Sequence, residues 1–335
     1  MQTSLRYSIL IAMCIFGTQF VQAQEGTYQL GLGHKVHEKI TLGGYFSTEF
    51  SKGEDLQEFV LDDVALLAYG DLSDNFSFLA EIESVGFYSY DFEIDRSETN
   101  TKPAIERFYT DFKFSDHATV RVGKQITPIG YWNLQPINVL RETTSSPRLS
   151  REMFPKFVTG LQISGYTPLD ESIRYSVYLQ NTGDMDAKYV NIAVDQHYGF
   201  SLEKKLSNTW SIGGSAGRFE EINEDRTSYF QLNSRVDSGQ YTFLLEAIVD
   251  YHTPTLLPKA KSSSIYSQLE YRFQPRHAVI VRAESFRDDR ISLHEKIGVL
   301  GYSYRPQFPI SLKLEYQWHA DSDNNRLVGS FSVLF

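Results

Sequence analysis

The chain has 335 residues, of which 41% are apolar, 14% aromatic and 22% charged, and its formal net charge at pH 7 is −10. Enough aliphatic and aromatic side chains are present to offset the entropy of folding, which excludes a disordered chain. The acidic balance repels phosphate and argues against a nucleic-acid partner, and the single cysteine excludes disulfide frameworks and metal fingers.

The first 23 residues have the pattern of an export signal. Arg6 gives a short basic region, residues 7–16 form an apolar run, and the segment ends in small-residue positions at Val21 and Ala23. The apolar run is shorter than the ~20 residues that a membrane-spanning helix needs. We therefore predict a cleaved signal peptide over 1–23, with an uncleaved membrane anchor as the alternative.

After a short N-terminal segment at 24–38, expected to lie in the periplasm, apolar and polar residues alternate to the end of the chain. In 310–319, for example, Leu312 and Leu314 alternate with Lys313 and Glu315. Such alternation predicts strands with one apolar and one wet face, and no segment of comparable length shows a helical period. The predicted strands are 39–50, 56–69, 75–88, 104–114, 117–125, 157–167, 172–182, 190–205, 209–220, 226–238, 240–252, 263–274, 276–288, 294–306, 308–320 and 326–335.

The connections between these strands alternate in length. Tight turns rich in Asp, Asn, Ser, Gly and Pro alternate with longer polar links, notably at 89–103, 126–156 and 253–262. Short turns at one end and long loops at the other are typical of an outer-membrane barrel, which closes so that no strand edge meets lipid. We predict an all-β transmembrane antiparallel β-barrel of about 16 strands over 39–335. A secreted β-sandwich or β-propeller is the structural alternative.

Two stretches resemble a known family. The segment Arg-Val-Gly-Lys-Gln-Ile-Thr-Pro-Ile-Gly at 121–130 is similar to a strand-to-loop segment of the Gram-negative phosphate-selective porin O and P family. The chain also ends on Phe335, an aromatic residue of the kind that barrel assembly machinery recognises in outer-membrane proteins. The resemblance implies a 16-stranded, trimeric diffusion channel whose third external loop folds into the lumen.

The longest connection, 126–156, is the candidate constriction loop, because an ordered loop of this length usually has a function. Its cations would concentrate anions if they narrowed a low-dielectric pore. The alternative is a solvated external loop whose arginines bind lipopolysaccharide or a neighbouring subunit. The candidate constriction residues are Arg141, Arg148, Arg151 and Lys156. The candidate pore-wall residues are Arg121, Lys124, Arg107 and Lys113.

Other lumen-facing positions mix both signs of charge, so a dedicated phosphate channel is not expected. General passage of small hydrophilic solutes or ions, with a mild anion preference, fits the charges better. The expected partners are outer-membrane lipids, lipopolysaccharide and small solutes or anions, with a homotrimer implied by the resemblance. The expected location is the outer membrane of a Gram-negative bacterium.

Two Asp/His pairs at predicted strand ends raise the alternative of an outer-membrane hydrolase. Asp250 with His252, and His319 with Asp321, could activate water as general bases, although each pair is also an ordinary polar strand end. The sequence has no Gly-x-Ser-x-Gly elbow and no His/Glu spacing typical of zinc. We therefore expect no enzyme, metal or cofactor, and a non-conducting adhesin or structural barrel remains a further alternative.

Overall fold

Alternation gives each strand one apolar and one polar face. All the strands can keep these two faces in different environments if they form a single sheet. The computed structural model of the protein describes residues 33–115, 117–255 and 258–335. These residues form one antiparallel sheet that closes on itself. The predicted signal peptide lies outside the described residues.

The strands, numbered in chain order, are β1 His34–His37, β2 Ile40–Lys52, β3 Gln57–Ser73, β4 Phe76–Asp91, β5 Arg96–Thr99, β6 Ala104–Ser115, β7 Ala118–Ile126, β8 Phe157–Thr167, β9 Asp170–Gln180, β10 Val194–Lys205, β11 Trp210–Glu221, β12 Arg226–Asp237, β13 Tyr241–Thr253, β14 Ala260–Gln274, β15 His277–Asp288, β16 Leu293–Tyr304, β17 Ile310–His319 and β18 Arg326–Leu334. A 3₁₀ turn at Asn138–Leu140 and helix α1 at Arg148–Glu152 lie between β7 and β8. Among the described residues, no helix is long and apolar enough to cross a membrane.

The barrel closes where the last strand meets β2. Leu334 pairs with Tyr45 across the antiparallel β18–β2 junction, and the backbones of Phe335 and Gly44 exchange two 2.8 Å hydrogen bonds. The four-residue strands β1 and β5 only extend the hairpins of β2 and β4, which leaves 16 strands in the ring. The predicted fold and its 16 strands are confirmed. The two short strands were not predicted because four residues are too few to show a period.

The two faces of each strand differ as the alternation predicted. On β15, Val281 is 48% exposed on the outer face, whereas the neighbouring Arg282 is 1% exposed on the inner face. On β17 the outward side chains include Tyr316 and Trp318, whereas Glu315 and Gln317 face inward and are buried. Apolar groups outside and hydrogen-bonding groups inside are what a barrel in lipid requires.

The connections lie alternately at the two ends of the barrel, and every connection longer than five residues lies at the same end. The short connections at one end are 74–75, 116–117, 168–169, 206–209, 238–240, 275–276 and 305–309. The connections at the other end are 53–56, 92–103, 127–156, 181–193, 222–225, 254–259, 289–292 and 320–325. We refer to these as the turn end and the loop end, and to residues 127–156 as the long loop.

Part of the interior is apolar. Trp132, Met153 and Phe154 of the long loop are buried against inward-facing side chains of strands β8–β15, among them Phe219 and Phe286. Burying a large apolar side chain stabilises a fold by about 1.5–3 kcal/mol. The long loop is therefore packed as a core element against one side of the barrel interior.

Candidate functional site

The long loop folds into the barrel instead of extending outward. At its neck the backbone amide of Thr127 donates a 2.9 Å hydrogen bond to the carbonyl of Lys156. Beyond the neck, inward-facing charged side chains of β13, β15 and β17 bind the backbone of the loop. Together these side chains fix the position of the candidate site.

The first anchor is Glu246 on β13. Its buried carboxylate accepts hydrogen bonds from the backbone amides of Tyr131 at 2.9 Å and Trp132 at 3.0 Å, and from the Tyr266 hydroxyl at 2.6 Å. Gly130 precedes these amides with a φ of +66°, and a Cβ there would lie 2.1 Å from Oε2 of Glu246. Only glycine fits this left-handed position against a carboxylate. The final glycine of the 121–130 segment thus turns the loop onto the barrel wall.

The second anchor is an ion pair on β15. Arg282 donates a 2.7 Å hydrogen bond from Nε to Glu284, and its Nη1 donates to the Thr143 hydroxyl at 3.1 Å and to the Ser145 carbonyl at 2.9 Å. Glu315 on β17 accepts a 3.0 Å hydrogen bond from the backbone amide of Ser145. These buried bonds hold the middle of the loop against the wall.

A third anchor lies towards the turn end. Glu142 of the loop accepts hydrogen bonds from Arg272 at 2.9 Å and from Arg305 at 3.1 Å. Burial raises the pKa of this carboxyl, but the two guanidinium groups and Ser303 outweigh burial and lower the pKa to about 2. The carboxylate therefore stays ionised, and both arginines keep a fixed partner.

Arg141, a candidate constriction residue, faces the space that the anchored loop leaves free. It donates hydrogen bonds to the Pro136 carbonyl at 2.8 Å and the Ser146 hydroxyl at 3.1 Å, and its guanidinium lies 5.5 Å from the Trp132 ring centre. Burial lowers the pKa of Arg141, and the negative charge of Asp63 opposes that shift. Within the described residues, Arg141 forms no ion pair with a carboxylate.

The other three candidate constriction residues are each close to a carboxylate. Arg148 pairs with Glu152 at 2.5 Å and also with Glu295. Arg151 has a half-exposed side chain 3.8 Å from Glu152. Lys156 pairs with Glu106 on β6 at 3.1 Å; burial alone would lower the pKa of Lys156, but the carboxylates of Glu106 and Glu83 raise it.

The candidate pore-wall cations lie on β6 and β7. Arg107 pairs with Glu81, Arg121 with Asp111 at 2.7 Å, and Lys124 with Asp184 at 2.8 Å. Lys113 lies near the turn end of β6 and is exposed. Arg107 and Arg121 line a cavity of about 180 Å³ on the turn-end side of the long loop, together with Arg174 of β9.

A larger cavity of about 470 Å³ lies between Arg141 and the opposite wall of the barrel. The carboxylates that line it are Glu49, Asp62, Asp63, Glu83 and Glu106. Only Glu106 of these has an ion-pair partner among the described residues, namely Lys156. This acidic wall was not predicted from the sequence.

Asp62 and Asp63 both line the cavity because β3 is irregular at this point. In a regular strand, adjacent side chains point to opposite faces. Here the pairing of β3 shifts between Leu61 and Asp63 on the β4 side, opposite a left-handed Gly86 with φ of +59°. Such a bulge re-aims side chains. Two adjacent aspartates within a strand were the sequence signal that could have indicated it.

The structure does not bring the two Asp/His pairs together. β13 and β17 are separated by three strands of the ring. His252 bonds to the Thr227 hydroxyl at 2.8 Å, and His319 to Glu295 at 2.6 Å. Within the part of the chain that is described, no group of His, Cys, Asp and Glu side chains could hold a metal ion.

Among the comparisons with known proteins, only the one with solved structures gives a match. No protein-family model and no curated protein sequence matches the chain. Among solved structures, it is similar to OmpT, an outer-membrane protein of Vibrio cholerae solved in a trimer form, with a TM-score of 0.63, 10% identity and coverage of 88% of this chain and 99% of that one. The chain has the fold of outer-membrane β-barrels.

Two further structures support this assignment of the fold. An anion-selective porin from Comamonas acidovorans has a TM-score of 0.60 at 12% identity, covering 88% of this chain and 99% of that chain. The outer-membrane channel DcaP of Acinetobacter baumannii has a TM-score of 0.60 at 12% identity, covering 92% and 100% of the two chains. At such low identity the likeness concerns the barrel and its connections, not the residues inside it.

Proposed function

We propose that the protein is a passive channel in the outer membrane of a Gram-negative bacterium, through which small hydrophilic solutes or ions diffuse. The observation that carries this proposal is the position of the long loop. It is anchored to one side of a barrel lined with polar and charged groups, and it leaves cavities on both of its faces. A water-filled path between the loop and the β2–β7 wall would connect the two ends of the barrel.

The selectivity of this channel depends on which charges face the path. The loop cations alone predict a mild anion preference. The 470 Å³ cavity, however, is lined by five carboxylates against three cations, which are Arg141, Arg151 and Lys156. Since Lys156 is paired with Glu106, the remaining carboxylates dominate. Acidic side chains that line a pore favour cations, so this cavity supports a mild cation preference and gives no support to phosphate selectivity.

Single-channel recording of the refolded protein in a planar bilayer under a salt gradient tests both statements. Discrete current steps are expected, with a reversal potential on the cation-selective side. A reversal potential on the anion-selective side would contradict the cation preference and show that the loop cations set the selectivity. Absence of steps from protein whose barrel is intact, as shown by heat-modifiable migration, would contradict the channel and favour an adhesin, a structural barrel or a hydrolase.

We also propose that the channel is a homotrimer. The similar structure of OmpT is described as a trimer form, and the outer face of the barrel carries many exposed apolar side chains. Light scattering of the detergent-solubilised protein, corrected for bound detergent, should give three chains per particle. A mass of one chain over a wide range of protein concentration would contradict the trimer.

A further inference from the structure

A groove of about 480 Å³ lies on the outer face of the barrel, across β13–β17. Its volume falls in the range of about 300–1,000 Å³ that is typical of small-molecule sites. On β14–β17 it lies on the half of each strand nearer the loop end, and it faces away from the lumen and from the candidate pore. The outward-facing residues that line it include Leu245, Ser267, Ala283, Lys296, Gly298 and Trp318.

The groove exists because one row of the outer face is built from small side chains. Ser267 pairs with Ala283, Ala283 with Gly298, and Gly298 with Trp318 across successive strands. A Cβ at Gly298 would lie 1.9 Å from the Trp318 ring, so the ring lies directly over the glycine. Leu245 borders the row on the other side. The row nearer the turn end carries larger side chains, including the exposed Leu300 and Tyr316.

A cation marks the loop end of the groove. Lys296 lines it and pairs in register with Ser285, one row nearer the loop end than Ala283. Within the described residues, Lys296 has no ion-pair partner, whereas Arg287 in the next row is paired with Asp289 at 2.7 Å. The groove is mainly apolar and ends at an exposed ammonium group. It therefore matches a molecule with a hydrocarbon chain and an anionic head.

We propose that this groove binds an acyl chain of a phosphate-bearing lipid of the outer leaflet, with Lys296 contacting the phosphate. The inference rests on the proposed function, because only an outer-membrane barrel places its loop end at the external leaflet. A second copy of the chain fits less well. A stable protein interface buries about 800 Å² per partner and so extends well beyond a single groove, whereas a flexible acyl chain can enter a narrow concavity.

Native mass spectrometry of the folded protein in detergent tests the site, with bisphosphorylated lipid A as the probe and phosphatidylcholine as the neutral reference. Wild type should retain lipid A in preference to phosphatidylcholine. Lys296→Gln should weaken lipid A binding about fivefold, the effect of one lysine near an anionic headgroup. Ala283→Leu, which fills the floor of the groove, should weaken the binding of both lipids.

Two matched variants serve as controls. Lys261→Gln removes an outward cation of β14 at the same end of the barrel, and Ala247→Leu adds the same bulk on the outer face of β13; neither residue lines the groove. Both should bind lipid A as wild type does. Equal weakening by Lys261→Gln, or no effect of Lys296→Gln, would overturn the proposal, as would self-association of the protein that Ala283→Leu abolishes.

The same preparations distinguish failure of the lipid site from failure of the channel. Lys296→Gln and Ala283→Leu should give the same current steps as wild type in planar bilayers, because neither side chain faces the lumen. Conducting protein that shows no preference for lipid A would overturn the groove alone. Protein that binds lipid A but never conducts would overturn the channel and leave the lipid site standing.

Discussion

Glu246 on β13 accepts a 3.0 Å hydrogen bond from the backbone amide of Trp132, and this bond joins the long loop to the barrel wall across 114 residues of sequence. The same carboxylate binds the amide of Tyr131 and the hydroxyl of Tyr266. A buried acid that accepts several hydrogen bonds organises the backbone around it. The position of the loop, and so of the cavity beside it, depends on this residue.

Glu246→Ala should therefore loosen the long loop. Each backbone amide left unpaired in a buried site costs about 1–3 kcal/mol, and the loop can recover that energy only by moving into water. We expect noisier single-channel currents and faster trypsin cleavage within 127–156. Glu220→Ala, at an exposed ion pair with Arg226, is the control and should behave as wild type. Unchanged noise and unchanged cleavage in Glu246→Ala would show that the other anchors suffice.

The acidic wall should set the ion selectivity. Replacing Asp62 and Asp63 together by Asn removes two carboxylates that line the 470 Å³ cavity and should move the reversal potential towards anions. Replacing Arg141, Arg148 and Arg151 together by Ser should move it towards cations. Asp170→Asn, at the turn-end start of β9, should leave it unchanged. If the aspartate variant does not shift the potential, ions do not pass the acidic wall.

Arg282 and Glu284 form an ion pair that is almost fully buried. Each of the two side chains also binds the backbone of the long loop. Removing one partner of such a pair leaves an uncompensated buried charge and costs about 3–5 kcal/mol. Arg282→Met should lower the temperature at which the barrel loses its heat-modifiable migration. Arg282→Met combined with Glu284→Met should recover much of the loss. Additive losses in this double-mutant cycle would show that the two side chains are not coupled.

Stability in acid should depend on Glu142. Its pKa falls from the ordinary 4.5 to about 2 in the folded protein, so the unfolded chain binds more protons between these values. The stabilisation is complete above about pH 4.5 and is lost as the pH falls towards 2; it amounts to about 3 kcal/mol. Wild type should unfold at a higher temperature than Glu142→Gln at pH 6, and the difference should disappear near pH 2. A difference independent of pH would contradict the pairing with Arg272 and Arg305.

The strand period, the alternating connection lengths and the composition of the chain were enough to predict the barrel. Alternation is a local property, because each residue need only face lipid or the interior, and 16 strands could be read from it. The same local logic identified 126–156 as a long connection. It also identified the cations of that loop, such as Arg141 and Lys156, as candidates for the pore.

The charge around the cavity was decided only by the tertiary structure. Which carboxylate stands beside each cation depends on residues far apart in sequence, as in the pair of Lys156 with Glu106. A bulge in β3, set by its pairing with β4, brings Asp62 and Asp63 to one face, and no period within a single strand can reveal this. The local pattern of residues determines which face of the sheet a side chain lies on. Ion selectivity depends instead on charges that face each other across the barrel, and only closure of the sheet brings these charges together.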